Sequence, residues 1–320
     1  MNSVQAVLDA SGESVPLLME RVERRMASVA SGHAPALAGH ADATITAGGK
    51  RLRPLLVCLA AGVPPPETDA LVHAAVAVEL VHGATLVHDD VLDGSALRRG
   101  RPTVVAAGGR QMATATGDLL FSRAFAELAL GRSAEAVRVL SRACSELALG
   151  ELMQRTDAWR GDVTEERYLE RCRLKTAVLF RASCGLGALE GGAPLRPLAT
   201  FGERIGLAFQ ILDDVLDVSG SPERTGKPRG ADLLDGTITL PLIEARARDR
   251  SLKTLDVRSV RTAADASAIC ELIVATGAPE LAKERALGLV EQAKECLPEL
   301  PDRQSSALEL VADGVVERYA

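Results

Sequence analysis

Residues 70–93 read ALVHAAVAVELVHGATLVHDDVLD, apolar on nearly every side along most of their length and ending in three aspartates. A helix built from this stretch has no face to offer water, so other elements must surround it. The chain therefore needs enough helical material to wrap a central buried rod. Its composition supplies that: 47% of residues are hydrophobic but only 2% aromatic, a balance that favours helix formers over the β-branched and aromatic residues of strands. The fold class expected is all-α.

Helical period and punctuation divide the remainder. An amphipathic segment near 15–46 leads into the loop AGGKRLRP at 47–54, where Pro54 suits a first helical turn. VPPPETD at 63–69 breaks that helix, and Thr68 or Asp69 can cap the central run. Past the loop GSALRRGRPT, helical pattern is predicted at 104–130, 134–155, 164–189, 195–219 and 237–249. Three further helices follow in 261–320, broken at LPELPD. No stretch reads as a linker, so residues 1–320 are expected to form one domain.

Charge and thiols exclude several classes. The net charge of −6 provides no basic field to draw nucleic acid. The six cysteines lack CxxC spacing, which argues against zinc or a disulfide framework and for reduced thiols in a cytoplasmic protein. The first residues carry no leader pattern. No uninterrupted apolar stretch reaches the roughly 18 residues of a spanning helix, so no stable membrane anchor is expected.

Two acidic clusters carry the chemistry. Residues four apart share a helix face, so Asp89, Asp90 and Asp93 can converge, as can Asp213, Asp214 and Asp217 in FQILDDVLDVSG. Crowded carboxylates in apolar surroundings either hold protons or bind cations. Two such clusters suit Mg²⁺, which takes a few carboxylates together with waters and phosphate oxygens. Basic residues stand nearby in sequence: Lys50, Arg51 and Arg53 in a glycine-led loop, Arg98 and Arg99 soon after the first cluster, and Lys175 and Lys227 further on. Arginine grips phosphate oxygens in pairs. The set points to two phosphate sites, one bridged by metal and one held by cationic side chains.

The ordered set GGKRLRP, DDVLD with RRGRPT, GD at 117–118, KT at 175–176, FQILDDVLD and TGK at 225–227 resembles the trans-polyprenyl diphosphate synthases over roughly residues 45–245. The resemblance implies an isoprenoid-synthase-type helical bundle around a central cavity, usually a homodimer. It implies head-to-tail condensation of isopentenyl diphosphate with an allylic prenyl diphosphate. Asp89, Asp90, Asp93, Asp213, Asp214 and Asp217 would hold three Mg²⁺ ions at the allylic diphosphate and offset the charge that grows as it leaves.

By motif position, Gly49, Lys50, Arg53, His82 and Arg99 would hold isopentenyl diphosphate, and Arg98, Lys175 and Lys227 would assist at the allylic diphosphate. Thr176 and Gln210 would place oxygens near the reacting carbon. His82 precedes Asp89 by two turns on the same face. One departure stands out: where many relatives read GKxTLP, this chain reads DGTITLP, with Thr237 in place of a lysine.

Product length in the family follows cavity depth below the first acidic motif. Thr85 and Ala84 lie one turn before Asp89, and the small Ala84 leaves the bore open. Phe121 and Phe125 are candidate floor residues. A product longer than geranylgeranyl is expected, with a farnesyl or geranylgeranyl product as the alternative. A class I terpene cyclase or a non-catalytic partner subunit would fit less well, since both acidic motifs and GGKRLRP are intact.

Overall fold

The computed structural model describes residues 3–31, 39, 44, 49–98, 100–220 and 228–317. The chain runs through α1 (Ser3–Ser11), α2 (Ser14–Ser31), α3 (Leu52–Ala61), α4 (Asp69–Asp93), a hairpin of β1 (Leu97–Arg98) and β2 (Arg101–Pro102), α5 (Val104–Leu130) and α6 (Ala134–Asp157). It continues through α7 (Glu165–Cys172), a π-helical turn at Arg173–Ala177, α8 (Val178–Gly191), α9 (Leu195–Ser219) and α10 (Ala231–Leu234). It ends with α11 (Leu240–Arg248), α12 (Arg250–Lys253), a 3₁₀ turn at Val257–Ser259, α13 (Ala263–Ala275), α14 (Ala278–Glu295) and α15 (Asp302–Glu317). The fold is all-α as expected. Of the first predicted helix, 14–31 is helical as α2, and most of 32–46 lies outside the described residues. The loop 94–103 contains the short antiparallel hairpin, turned at Gly100 with φ 73°.

Helix α4 is the expected central rod. Thr68 caps it, its hydroxyl accepting from Leu71 N at 3.2 Å, and Gly94 ends it in the left-handed conformation with φ 63°. By length and composition α4 could cross a membrane, yet most of its apolar window is buried inside the protein. Thr103 then ties the end of α4 to the start of α5: its hydroxyl donates to Ser95 O at 2.6 Å and accepts from Ala106 N at 3.2 Å.

The residues group into two compact units. The first comprises Met1–Cys144, Leu179–Gly202 and Cys296–Val311. Within it α5 runs antiparallel to α4, as successive contacts show. Gly117 lies against His88, Leu120 against Gly83, Glu127 against His73 and Gly131 against Ala70. A Cβ at Gly187 or Gly191 of α8 would collide with the Val57 or Ala61 carbonyl of α3, so this helix pair meets backbone to backbone.

The second unit comprises Ser145–Val178, Glu203–Glu295 and Ala312–Ala320. Its core includes Tyr168, Ile205, Ile211, Leu212 and Ile238. The segment after α10 is pinned where Trp159 N donates to Gly236 O at 2.8 Å. Gly236 has φ 71°, and the Trp159 ring leaves no room there for a Cβ. All six cysteines are free.

Candidate functional site

In the first unit the acidic motif occupies the last turns of α4. The spacing allowed all three aspartates to converge; the structure divides them two and one. Asp90 is buried and its Oδ1 accepts from Arg98 Nε at 2.9 Å and Nη2 at 2.8 Å. Asp89 is half-buried and Asp93 exposed. Arg98 reaches back from β1 after the chain leaves α4 at the left-handed Gly94. Arg99 lies outside the described residues.

His88, beside the motif, stacks on Phe121 with ring centroids 5.7 Å apart and lies 3.4 Å from Asp118. A Cβ at Gly117 would occupy the His88 ring position, which gives the GD pair a physical reason. Phe121 follows Leu120, which packs on Gly83, so its backbone lies below the acidic motif while its ring reaches up to stack on His88. Phe125 lies one turn deeper along α5. Ala84 is fully buried, whereas Thr85 keeps accessible surface and donates its hydroxyl to His82 O at 2.8 Å. His82 is half-buried on α4.

The basic loop of the same unit presents Gly49 and Lys50 to solvent. Arg53, in the first turn of α3, lays its guanidinium 4.5 Å from the Phe180 ring centroid. Its Nε is buried without a hydrogen-bond partner. Burial pushes its pKa down to about 10, against the opposing pull of Glu79. A buried cation with an unmet donor is suited to receive an anion. A separate cavity of about 550 Å³, lined by Arg21, Arg25 and His73 among others, lies at the opposite end of α4.

In the second unit the other acidic motif divides in the same manner. Asp214 is buried, accepting from Tyr168 OH at 2.7 Å and Gln210 Nε2 at 2.7 Å. Asp213 and Asp217 are half-buried. Burial raises the Asp214 pKa to about 7; Tyr168 and Gln210 oppose the shift and the Asp213 charge adds to it. Tyr168, raised well above its ordinary value by burial and then by Asp214, remains a hydroxyl donor. Asp217 accepts from the backbone N–H groups of Ala231 and Asp232, each at 3.2 Å, and so fixes the start of α10.

Thr176 Oγ1 donates to Gln210 Oε1 at 2.6 Å, which orients the Gln210 amide toward Asp214. Lys175, in the π-helical turn, holds Glu151 at 2.6 Å. Gly150 allows that approach, since a Cβ there would stand 2.5 Å from Lys175 N. Burial works against the Glu151 charge, but Lys175 and Arg155 together hold its pKa below the ordinary carboxylate value. Thr237 is buried, its N–H donating to Asp232 O at 2.8 Å. Lys227 lies outside the described residues.

Tyr168 and Glu151 are absent from the sequence-derived set. Each stands in sequence among ordinary helical polar residues, and only packing brings them to Asp214 and Lys175. Among the described residues no three His, Cys, Asp or Glu side chains form a closed metal centre. Each helix instead offers a pair of carboxylates at i and i+4 that keep accessible surface. This open donor set fits Mg²⁺, which keeps waters and takes further oxygens from a substrate phosphate.

The family model described as polyprenyl synthetase matches residues 34–273. The heptaprenyl diphosphate synthase component 2 of Geobacillus stearothermophilus is 40% identical over 268 residues, covering 82% of this chain and 84% of its own. The geranylgeranyl diphosphate synthase of Methanosarcina mazei is 38% identical over 284 residues, covering 86% of this chain and 87% of its own. Among solved structures, the polyprenyl synthase of Caulobacter crescentus CB15, complexed with calcium and isoprenyl diphosphate, matches with a TM-score of 0.91 at 35% identity, covering 98% of each chain.

Proposed function

Because this chain belongs to the polyprenyl synthetase family and is a prenyltransferase, we propose that it is a Mg²⁺-dependent trans-polyprenyl diphosphate synthase. It would join isopentenyl diphosphate head-to-tail to an allylic prenyl diphosphate and give a product longer than geranylgeranyl. One observation carries the reading: both acidic motifs bury and hydrogen-bond their second aspartate while the first and fifth keep accessible surface.

Asp89 and Asp93, with Asp213 and Asp217, would hold three Mg²⁺ ions, while Asp90, held by Arg98, and Asp214, held by Tyr168 and Gln210, would keep the two clusters oriented. Bound Mg²⁺ supplies positive charge that offsets the diphosphate as its C–O bond breaks. Arg98 lies beside the first carboxylates, where it can meet phosphate oxygen while holding Asp90. Lys175, paired with Glu151 at 2.6 Å, adds a second cation. The Thr176 and Gln210 oxygens favour the carbon that becomes electron-poor on ionisation. Lys50 and Arg53, with His82 and Arg99, hold isopentenyl diphosphate, whose double bond attacks that carbon. Loss of a proton to the departed diphosphate then completes the new prenyl chain.

The reading takes the chain as one synthase domain acting as a homodimer in the cytoplasm. Support for a long product comes from the heptaprenyl relative, because Ala84 is fully buried and its small side chain does not open the bore as its sequence position suggested; the geranylgeranyl relative supports the shorter alternative. The name of the first relative, a component 2, favours a second reading in which a partner subunit completes the enzyme. Purified protein is incubated with Mg²⁺, isopentenyl diphosphate and, separately, geranyl, farnesyl and geranylgeranyl diphosphate, and the dephosphorylated products are weighed by mass spectrometry. A ladder beyond geranylgeranyl supports the reading. Consumption only after a partner is added selects the second, and a hydrocarbon formed without isopentenyl diphosphate overturns both.

A further inference from the structure

We propose that Arg51 is a positioning residue of the basic loop, clamped by Glu23 and Glu79 so that Lys50 and Arg53 are presented to one diphosphate. The inference rests on the reading of that loop as the isopentenyl diphosphate site. Arg51 has φ 46° and ψ 36°, the left-handed region that a residue with a Cβ occupies only at a steric cost. Something must hold it there. Its Nε donates to Glu23 Oε1 at 2.7 Å and its Nη2 to Glu23 Oε2 at 3.4 Å, while Nη1 donates to Glu79 Oε1 at 2.8 Å. The loop is thus anchored to α2 through Glu23 and to α4 through Glu79.

The clamp also sets the helix that follows. Arg51 O accepts from Leu55 N at 3.0 Å, the bond that opens α3, and Arg53 sits in that first turn. On the other side of Arg51, Lys50 is left exposed. The two candidate phosphate-binding cations therefore flank one fixed residue, and their relative direction depends on its backbone.

Glu79 gives the clamp a second effect. Its side chain is only 11% exposed, and its charge acts on Arg53 as well as on Arg51. With Arg51 present, Glu79 is committed to a neighbouring guanidinium. Without Arg51, a buried carboxylate is left beside Arg53, where it competes with an incoming diphosphate and repels it. Arg51 thereby keeps Arg53 available for substrate.

The test uses the full chain. Arg51→Gly tolerates the left-handed backbone but lacks the clamp, and Arg51→Ala/Glu79→Gln removes both the clamp and the competing charge. We expect Arg51→Gly and Arg51→Ala to raise KM for isopentenyl diphosphate about tenfold, with kcat and the allylic KM little changed. The double variant should recover much of the loss relative to Arg51→Ala. Thermal melts establish that each variant is folded. An unchanged KM, or equal losses for both substrates, overturns the proposal.

A metal-free calorimetric titration with inorganic diphosphate separates this inference from the functional reading, because it needs no turnover. Wild type should bind more tightly than Arg51→Gly. Equal affinity, or no binding by wild type, overturns the clamp even if the enzyme turns over. Weakened binding in a protein that consumes no isopentenyl diphosphate supports the clamp and rejects the functional reading.

Discussion

Tyr168 donates its hydroxyl to Oδ2 of Asp214 across 2.7 Å inside the second unit, and both side chains are buried. A hydrogen bond from a neutral donor to a buried carboxylate fixes the carboxylate's plane and lowers the cost of its charge. Asp214 in turn stands between Asp213 and Asp217 on α9. Tyr168→Phe removes the donor without changing the ring. It should reduce kcat/KM for the allylic substrate about tenfold and stability by about 1–2 kcal/mol. Steady-state kinetics with a urea titration check both, and unchanged kinetics would show that the contact serves packing alone.

Asp214 also predicts a pH dependence of the metal-free protein. Its folded pKa, about 7, lies above the ordinary aspartate value of 3.8. Between those values the folded state holds a proton that the unfolded state has lost, so stability falls as pH rises through the window. Asp214→Asn cannot ionise and should lack this slope. Without metal it should be more stable than wild type at pH 8, by on the order of 4 kcal/mol, with the gap narrowing toward pH 4. Melting curves across that range decide it; parallel curves sink the assignment.

Arg98 and Asp90 make the corresponding pair in the first unit, with two guanidinium nitrogens on one carboxylate oxygen. Arg98→Met leaves Asp90 buried without its cation. Since the arginine side chain is 35% exposed, water relieves part of the cost, and the expected loss is about 1–3 kcal/mol rather than the larger figure for a fully buried pair. The allylic KM should rise together with the loss of stability. Arg98→Lys should recover part of both. A stable Arg98→Met protein with normal KM would contradict the pairing as a functional contact.

The elements were legible because their signals are local. Thr68, Gly94 and the apolar run between them define α4 from sequence, and 195–219 was delimited by its own periodicity. The division within each acidic motif was not legible. Asp89 and Asp90 are chemically the same in sequence, and only Arg98, brought back past the Gly94 end of α4, distinguishes them. Tyr168 and Glu151 were missed for the same reason, as their partners are 46 and 24 residues away. The level of Phe121 was not legible either, because one-turn spacing says nothing of depth: Leu120 on Gly83 and the ring stack on His88 set it just below the acidic motif.

Chain length provides the last prediction, and the structure changes which substitution tests it best. Ala84 and Thr85 both lie one turn before Asp89, but Ala84 has no accessible surface while Thr85 retains some. A phenylalanine at 84 must displace packed neighbours, an overpacking that costs about 1–3 kcal/mol. A phenylalanine at 85 has space beside it and loses only the local hydroxyl bond to His82 O. Thr85→Phe should therefore remain folded and shorten the product by one or more isoprene units, whereas Ala84→Phe should shorten it only with a clear drop in melting temperature. Product masses and melts for the two variants provide the comparison. If Thr85→Phe leaves the ladder unchanged, the growing chain does not pass this level of α4, and the stop must lie on another helix.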